Sequence, residues 1–318
     1  MTAAIGVMLP RDLPATRVVE YARTAELAGF DELWVVEDCF FRGAIAQAAV
    51  ALASTTTIRV GIGVMPAAGR NPAITALETS TLAAIFPGRT VVGIGHGMPT
   101  WMRQIGAWPA SPLALLEETL GAVRGLLGGE TITMSGRYVR LTDVVLEEPP
   151  HQVPPVLAGV RGPRSLRLSG RLADGTILAE PVTPEYLVVA HAAIDAARPH
   201  VVVAYNVAAV DDDAARARAV ARTALEWIGD PDWAVQLAPL DFADDLADLR
   251  RHSATRSAFA AALPDPWVDR LAVVGTPSQA RARIDELHRA GADTVVLIPA
   301  GPDPFAALAA LARLVQPQ

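Results

Sequence analysis

Arg89-Thr-Val-Val-Gly-Ile-Gly-His-Gly-Met-Pro-Thr-Trp101 is the stretch on which the reading of this chain turns. Val91, Val92 and Ile94 are threaded with Gly93 and Gly95, and His96 stands between Gly95 and Gly97. An apolar run rich in β-branched residues reads as a strand buried on both faces, and glycines at its end remove side chains where a backbone or a ligand approaches closely. Taken alone, the same string also fits a tight turn carrying a surface histidine. The segments on either side decide between them.

Upstream, Ala4 to Leu9, Leu33 to Val36 and Ile58 to Met65 are three more apolar runs, each followed by helical spacing: Val18 to Ala28, Ala44 to Ala53 and Ala73 to Phe86. The quoted stretch is therefore strand four. Downstream, Pro112 to Leu127 reads as a helix and Gly129 to Glu148 as a polar hairpin insertion around Ser135-Gly136. Strands five to eight follow at Pro154 to Ala158, Gly175 to Ala179, Val201 to Ala208 and Thr294 to Ile298, the last after a long helical excursion. Strand and helix alternating through short connections mean a parallel sheet with right-handed crossovers. Eight strands predict a single α/β domain over residues 1–318: a (β/α)8 TIM barrel with an insertion after helix 4 and a helical excursion between strands 7 and 8. The site of such a barrel lies at the carboxyl ends of its strands. That rule gathers Asp38 and Cys39, Met65 to Arg70, Gly95 to Trp101, Gly159 to Arg164 and Glu180-Pro181 around one mouth.

Composition removes several chemistries. The chain has 318 residues, 51% hydrophobic and 19% charged, which describes a globular protein with ample core. A net charge of −7 argues against a general nucleic-acid surface. No apolar run approaches the ~20 residues of a membrane span, and the start lacks the pattern of a signal peptide, so a cytoplasmic protein acting on a small molecule is expected. Cys39 is the lone cysteine, which rules out an internal disulfide or a multi-cysteine zinc site. All 27 basic residues are arginine. Without lysine there is no Schiff-base aldolase, no conventionally tethered pyridoxal phosphate and no ordinary P-loop. The dinucleotide fingerprint fails twice, because Met98 and Pro66 stand where Gly93-x-Gly95 and Gly61-x-Gly63 would need a further glycine. Met8, Leu9 and Pro10 end strand one where a metal-dependent barrel hydrolase wants histidines, and no metal is expected.

The chain resembles the luciferase-like flavin and deazaflavin oxidoreductases, especially their coenzyme F420-dependent branch. The likeness runs over nearly the whole sequence. Ala25-Glu-Leu-Ala-Gly-Phe-Asp31, Glu37-Asp38, Ile58 to Gly63, Arg70-Asn-Pro72, Gly93 to Gly97 with Trp101-Met102, Gly162-Pro163, Ala173-Asp-Gly175 and Gly275-Thr-Pro277 carry it. The resemblance implies a luciferase-like barrel that binds F420, or alternatively FMN, and assembles as a homodimer or higher homo-oligomer. It implies a non-prolyl cis peptide in a bulge at the end of strand three, here Gly63-Val64, backing the tricyclic ring with Met65 beside it. Gly95, His96 and Gly97 would lie at the reacting edge, with the glycines admitting the flat ring. Gly159, Val160, Arg161 and Gly162 would form the phosphate side, with Arg70, Arg103 and Arg164 as candidates for steering the acidic tail.

Two departures narrow the expectation. Where the sugar-phosphate dehydrogenase branch has a histidine after the strand-two aspartate and a glutamate after strand four, this chain has Cys39 and Met98. Where the methanopterin reductase branch has a glutamate near the end of strand one, it has Met8. Met8, Cys39, Phe40, Met98 and Trp101 would then line a more apolar substrate pocket, with His96 as acid-base residue and Asp38 as a second catalytic candidate. The expected activity is hydride transfer between the deazaflavin C5 and a small, largely apolar organic substrate. A luciferase-like monooxygenase using reduced FMN and oxygen is the alternative, and a flavin or deazaflavin carrier without turnover the second.

Overall fold

A computed structural model describes residues 3–316. The first half alternates β1 (Ala4–Met8), α1 (Val18–Ala28), β2 (Glu32–Val35), α2 (Ala44–Ser54), β3 (Arg59–Pro66), α3 (Pro72–Ile85) and β4 (Thr90–Gly95). A short α4 (Pro99–Gln104) and then α5 (Pro112–Leu127) lead to an antiparallel hairpin, β5 (Ile132–Ser135) and β6 (Arg140–Val144). The beat resumes with β7 (Val156–Gly159), α6 (Pro163–Leu172), β8 (Gly175–Leu178), α7 (Pro184–Ile194) and β9 (Val201–Val210). The excursion holds α8 (Ala214–Ala224), α9 (Ala234–Leu237), α10 (Ala243–His252), α11 (Arg256–Ala262), α12 (Asp265–Leu271) and β10 (Val273–Gly275). The last elements are α13 (Pro277–Arg289), β11 (Thr294–Pro299) and α14 (Pro304–Ala312).

Strands β1, β2, β3, β4, β7, β8, β9 and β11 pair in parallel in that order, and β11 pairs back onto β1, which closes the barrel. The expected eight-stranded barrel and its hairpin insertion are both present. Two local elements differ from the sequence reading. Pro99, at the first position of a helix where a missing N–H costs nothing, opens α4 inside what reads as a loop. Val273 to Gly275 pairs with the far end of β9, where three residues are too short to show a period.

Recurrent aspartates stitch the amino-terminal rim. Asp31, Asp174 and Asp293 each precede a barrel strand, and each accepts an N–H from the start of a neighbouring one: Ile5 at 2.8 Å, Val156 at 3.0 Å and Val202 at 2.8 Å. The Ala25–Asp31 motif does more. Gly29 ends α1 at φ 94°, a left-handed cap that glycine adopts without penalty. Glu26 turns one carboxylate oxygen onto the N–H groups of Thr56, Thr57 and Ile58 at 2.7–3.0 Å. Burial opposes its ionisation, but these donors outweigh it and hold the acid at about 2. A folded value below the ordinary 4.5 means that this stabilisation is complete above pH 4.5 and is lost as pH falls towards 2. Glu26→Ala should cost about 1–2 kcal/mol at pH 7, allowing for water at this edge, and the gap to wild type should close below pH 3. Denaturant titrations at pH 7 and pH 3 check this, and a gap that does not change with pH would refute it.

Candidate active site

Side chains alternate along each strand, so one set fills the barrel and the other packs against the helices. The filling set is Trp34, Val91, Leu157, Ile177, Val203, Tyr205 and Val296, with Met8, Val64 and Ile298 packed against it. The Trp34 indole lies across the barrel, donates to the buried Glu32 at 2.7 Å and meets Tyr205 edge-on at 5.8 Å. A Cβ at Gly6 or Gly61 would run into that indole, and one at Gly63 into the Tyr205 hydroxyl. These glycines make room for the two large rings.

Above Trp34, the β3–β4 register shifts between Ile62 and Met65, and the Gly63–Val64 peptide is cis, as the resemblance implied. Val64 lies in a slot cut by three glycines of adjacent strands: a Cβ on Gly93, Gly95 or Gly159 would strike its methyl groups. Gly93 and Gly95 of the opening stretch therefore admit Val64, and it is Val64, partly exposed, that floors the mouth.

The rim is charged. Arg11, after β1, pairs with Asp38, after β2, at 3.1 Å. Glu37 caps the first N–H of α2 at 2.8 Å and holds Arg70 at 2.7 Å. Arg70 also bonds Glu78 at 2.7 Å, so it is committed to the fold and is unavailable to steer a tail. The Cys39–Phe40 peptide is cis, and Phe40 is 67% exposed at the rim. Burial, with Glu37 and Asp38 beyond it, pushes the Cys39 thiol up, which makes it a packing group and a poor nucleophile.

Across the mouth, Gly159 to Gly162 leads into α6, whose first-turn N–H groups lack intrahelical partners. Arg161 donates to the Asp232 carbonyl at 2.9 Å and lies 5.3 Å over the Trp233 ring, while its own carbonyl accepts from the Tyr186 hydroxyl at 2.7 Å. The excursion thus walls this side of the mouth. From α9, Gln236 pins the carbonyls of Ala179 and Glu180 at 3.2 and 2.5 Å.

A family profile described as luciferase-like monooxygenase matches residues 2–294. The chain belongs to this luciferase-like family. It is 30% identical over 307 residues to a 5,10-methylenetetrahydromethanopterin reductase of Methanolobus tindarius, covering 93% of this chain and 94% of that one. It is 29% identical to the enzyme of the same name from Archaeoglobus fulgidus, with 94% of each covered. Among solved structures, the coenzyme F420 dependent tetrahydromethanopterin reductase of Methanopyrus kandleri superposes with a TM-score of 0.84 at 23% identity, covering 99% of both chains. An F420-dependent secondary alcohol dehydrogenase in complex with an F420-acetone adduct does so at 0.80 and 20% identity, covering 99% and 98%.

Within this luciferase-like barrel, the residues singled out from sequence separate into three groups. Gly63, Val64, Gly95 and Gly159 come together as the floor. Met8 faces the same interior, and Asp38, Cys39 and Phe40 stand on the rim. Met98 precedes α4 and Trp101 lies within it, and Met102 of the same helix packs under Gly97, a left-handed glycine at φ 75°. Three expectations are corrected. Met65 and Val160 point away from the mouth into the core between barrel and helices, and the Val160 N–H is spent on the Ile177 carbonyl at 3.2 Å. His96 continues the outward alternation of Val92 and Ile94 and bonds Ser165, in the first turn of α6, at 3.0 Å through Nε2. Burial, and beyond it the charge of Arg161, hold its imidazole below the ordinary value and keep it neutral at pH 7. It belongs to the α6 side of the mouth.

One group escapes sequence reasoning. Tyr205 lies inside a continuous apolar strand, and its hydroxyl is buried under the floor beside Gly63 without a partner. Among the described residues no cluster of His, Cys, Asp and Glu could hold a metal, and no helix is long and apolar enough to cross a membrane.

Proposed function

We propose that this chain is an F420-dependent oxidoreductase passing a hydride between the deazaflavin C5 and a small, largely apolar organic substrate. The observation that carries the reading is the floor: Val64, after a cis peptide and seated against Gly93, Gly95 and Gly159, stays partly exposed at the carboxyl ends of the strands. The methanopterin reductases to which the chain is about 30% identical support hydride transfer, as do the F420-dependent enzymes of like fold.

The residues fit the group from end to end. Gly63 and Val64 would back the ring. Arg161, Gly162 and the α6 start, with Ser165 and His96, would hold the phosphate. Met8, Cys39, Phe40, Met98 and Trp101 would form the apolar substrate side, and Asp38, fixed by Arg11, would orient polar groups at the rim. When bound, the cofactor supplies a carbon that gives or accepts hydride; the protein orients and shields it.

A second copy of the chain would cover the stripe Ile74, Leu77 and Ile85 of α3, which are 52%, 53% and 62% exposed at helical spacing. Sedimentation of the free protein tests that contact, and a monomer would rule it out.

Fluorescence titration with F420 and with FMN, then anaerobic mixing of reduced F420 with enoates, imines and ketones, tests the activity. F420 should bind and be reoxidised. Tight FMN binding with oxygen consumption would transfer the reading to a monooxygenase, and binding without turnover would make the chain a carrier. His96→Ala should weaken F420 binding about tenfold while kcat changes less than threefold, as expected for a residue at the phosphate end. A collapse of kcat at unchanged Kd would restore the acid-base role.

A further inference from the structure

We propose that the cavity between the hairpin insertion and the turn after β3 is a binding site, separate from the mouth, for a small planar organic anion of the aromatic carboxylate class. The site stands whether or not the oxidoreductase reading holds.

The cavity measures about 410 Å3, within the range of small-molecule sites. Three segments enclose it: the turn between Ala67 and Pro72, the α4–α5 connection from Gly106 to Pro109, and Tyr138 to Arg140 of the hairpin. The walls are tied together. Glu118 of α5 accepts the N–H groups of Arg137, Tyr138 and Val139, each at 2.8 Å, which fixes the hairpin against that helix. The Tyr138 hydroxyl accepts the Ser111 N–H at 2.7 Å, just ahead of α5. Asn71 caps α3 through the Ala73 N–H at 2.9 Å. A cavity held this way loses little affinity to the ordering of its own walls.

Its lining specifies the ligand. Trp108 and Tyr138, with Pro72, Pro109 and Leu115, offer aromatic and apolar surface. Arg70 and Arg140 also line the cavity, and among the described residues no aspartate or glutamate does. Arg70 is committed to Glu37 and Glu78. Arg140 is exposed, and among the described residues no carboxylate pairs with it. Two more arginines stand close by, Arg103 at 5.4 Å from the Trp108 ring centroid and Arg137 at 5.3 Å from that of Tyr138. In a chain of net charge −7, this local excess of positive charge selects an anion. The Arg140 fork matches a carboxylate, and the Tyr138 hydroxyl, which accepts from Ser111, still has its own hydrogen to donate. A ring joined to that carboxylate would lie against the aromatic walls.

The cavity is not an arm of the mouth. Neither Val64 nor Met8, Phe40, Met98 or Trp101 lines it. Strand β3 runs from Val64 in the floor through Pro66 to Ala67 in the cavity wall, and Pro66 on the way is buried against Gly97, which also meets Met102.

Calorimetric titration with 1-naphthoate and with its uncharged counterpart 1-naphthamide tests the site. Wild type should bind naphthoate at a single site with a Kd below about 1 mM, and naphthamide at least about tenfold more weakly. Arg140→Ala should weaken naphthoate about tenfold at an unchanged Tm while naphthamide stays within about twofold. Trp108→Ala should weaken both probes about fivefold. Saturation of wild type with F420 or with FMN should leave the naphthoate Kd within about twofold. Wild type that does not bind naphthoate, naphthamide bound as tightly as naphthoate, or Arg140→Ala indistinguishable from wild type would overturn the site. Displacement of naphthoate by F420 or FMN would place the probe in the mouth and overturn it equally.

Discussion

Replacing Gly159 by alanine is expected to cost the protein its cofactor. The added Cβ would occupy the space of a Val64 methyl group, and the same methyl groups lie close to Gly93 and Gly95 as well, which leaves Val64 little room to retreat. Valine has one branched centre and no flexible end to swing away. Either the floor lifts into the mouth or β7 moves away from β4, its partner through Gly95↔Gly159. Overpacking of this kind costs about 1–3 kcal/mol, and a displaced floor should weaken F420 binding by tenfold or more. Val64→Ala placed in the same chain should recover most of both losses by emptying the slot. A double-mutant cycle reads the coupling directly. If the two substitutions add without interaction, Val64 does not fill that slot.

Gly170→Ala should have the largest effect on stability. Gly170 is on α6, where its bare Cα lies against the Ile194 carbonyl at the end of α7, and a methyl there would overlap backbone atoms. Backbone cannot rotate away as a side chain can, so α6 must shift bodily. The expected cost is about 3 kcal/mol, a fall in Tm of roughly 5 °C for a chain of this size. Because Gly159 to Gly162, the loop proposed to hold the phosphate, leads into α6, F420 affinity should fall in the same variant. An unchanged Tm would mean that the two helices do not approach as closely as the structure has them.

Much of this architecture was legible beforehand, for a physical reason. A strand of a parallel barrel is buried on both faces, so β1, β3, β4 and β9 appear as unbroken apolar runs, and the helices between them follow a different period. The Gly63–Val64 bulge was legible through family likeness alone. The roles at the mouth were less so. His96 and Gly97 are neighbours in the chain, yet His96 turns out to α6 while Gly97 packs on Met102. The glycine string announces a close approach without saying what approaches. Arg70 looked free for an anionic tail because Glu37 and Glu78 are distant enough in sequence that no local pattern joins them.

By itself, the sequence determined the eight-stranded barrel, the hairpin insertion and the exclusion of lysine and dinucleotide-fingerprint chemistries, because these follow from period and residue type. Only the tertiary structure decided that Gly93, Gly95 and Gly159 make room for Val64, that Gly97 lies against Met102, and that His96 bonds Ser165 on α6. Those outcomes depend on which strand ends become neighbours when the barrel closes. Closure brings together residues more than a hundred positions apart, and local sequence carries no record of it.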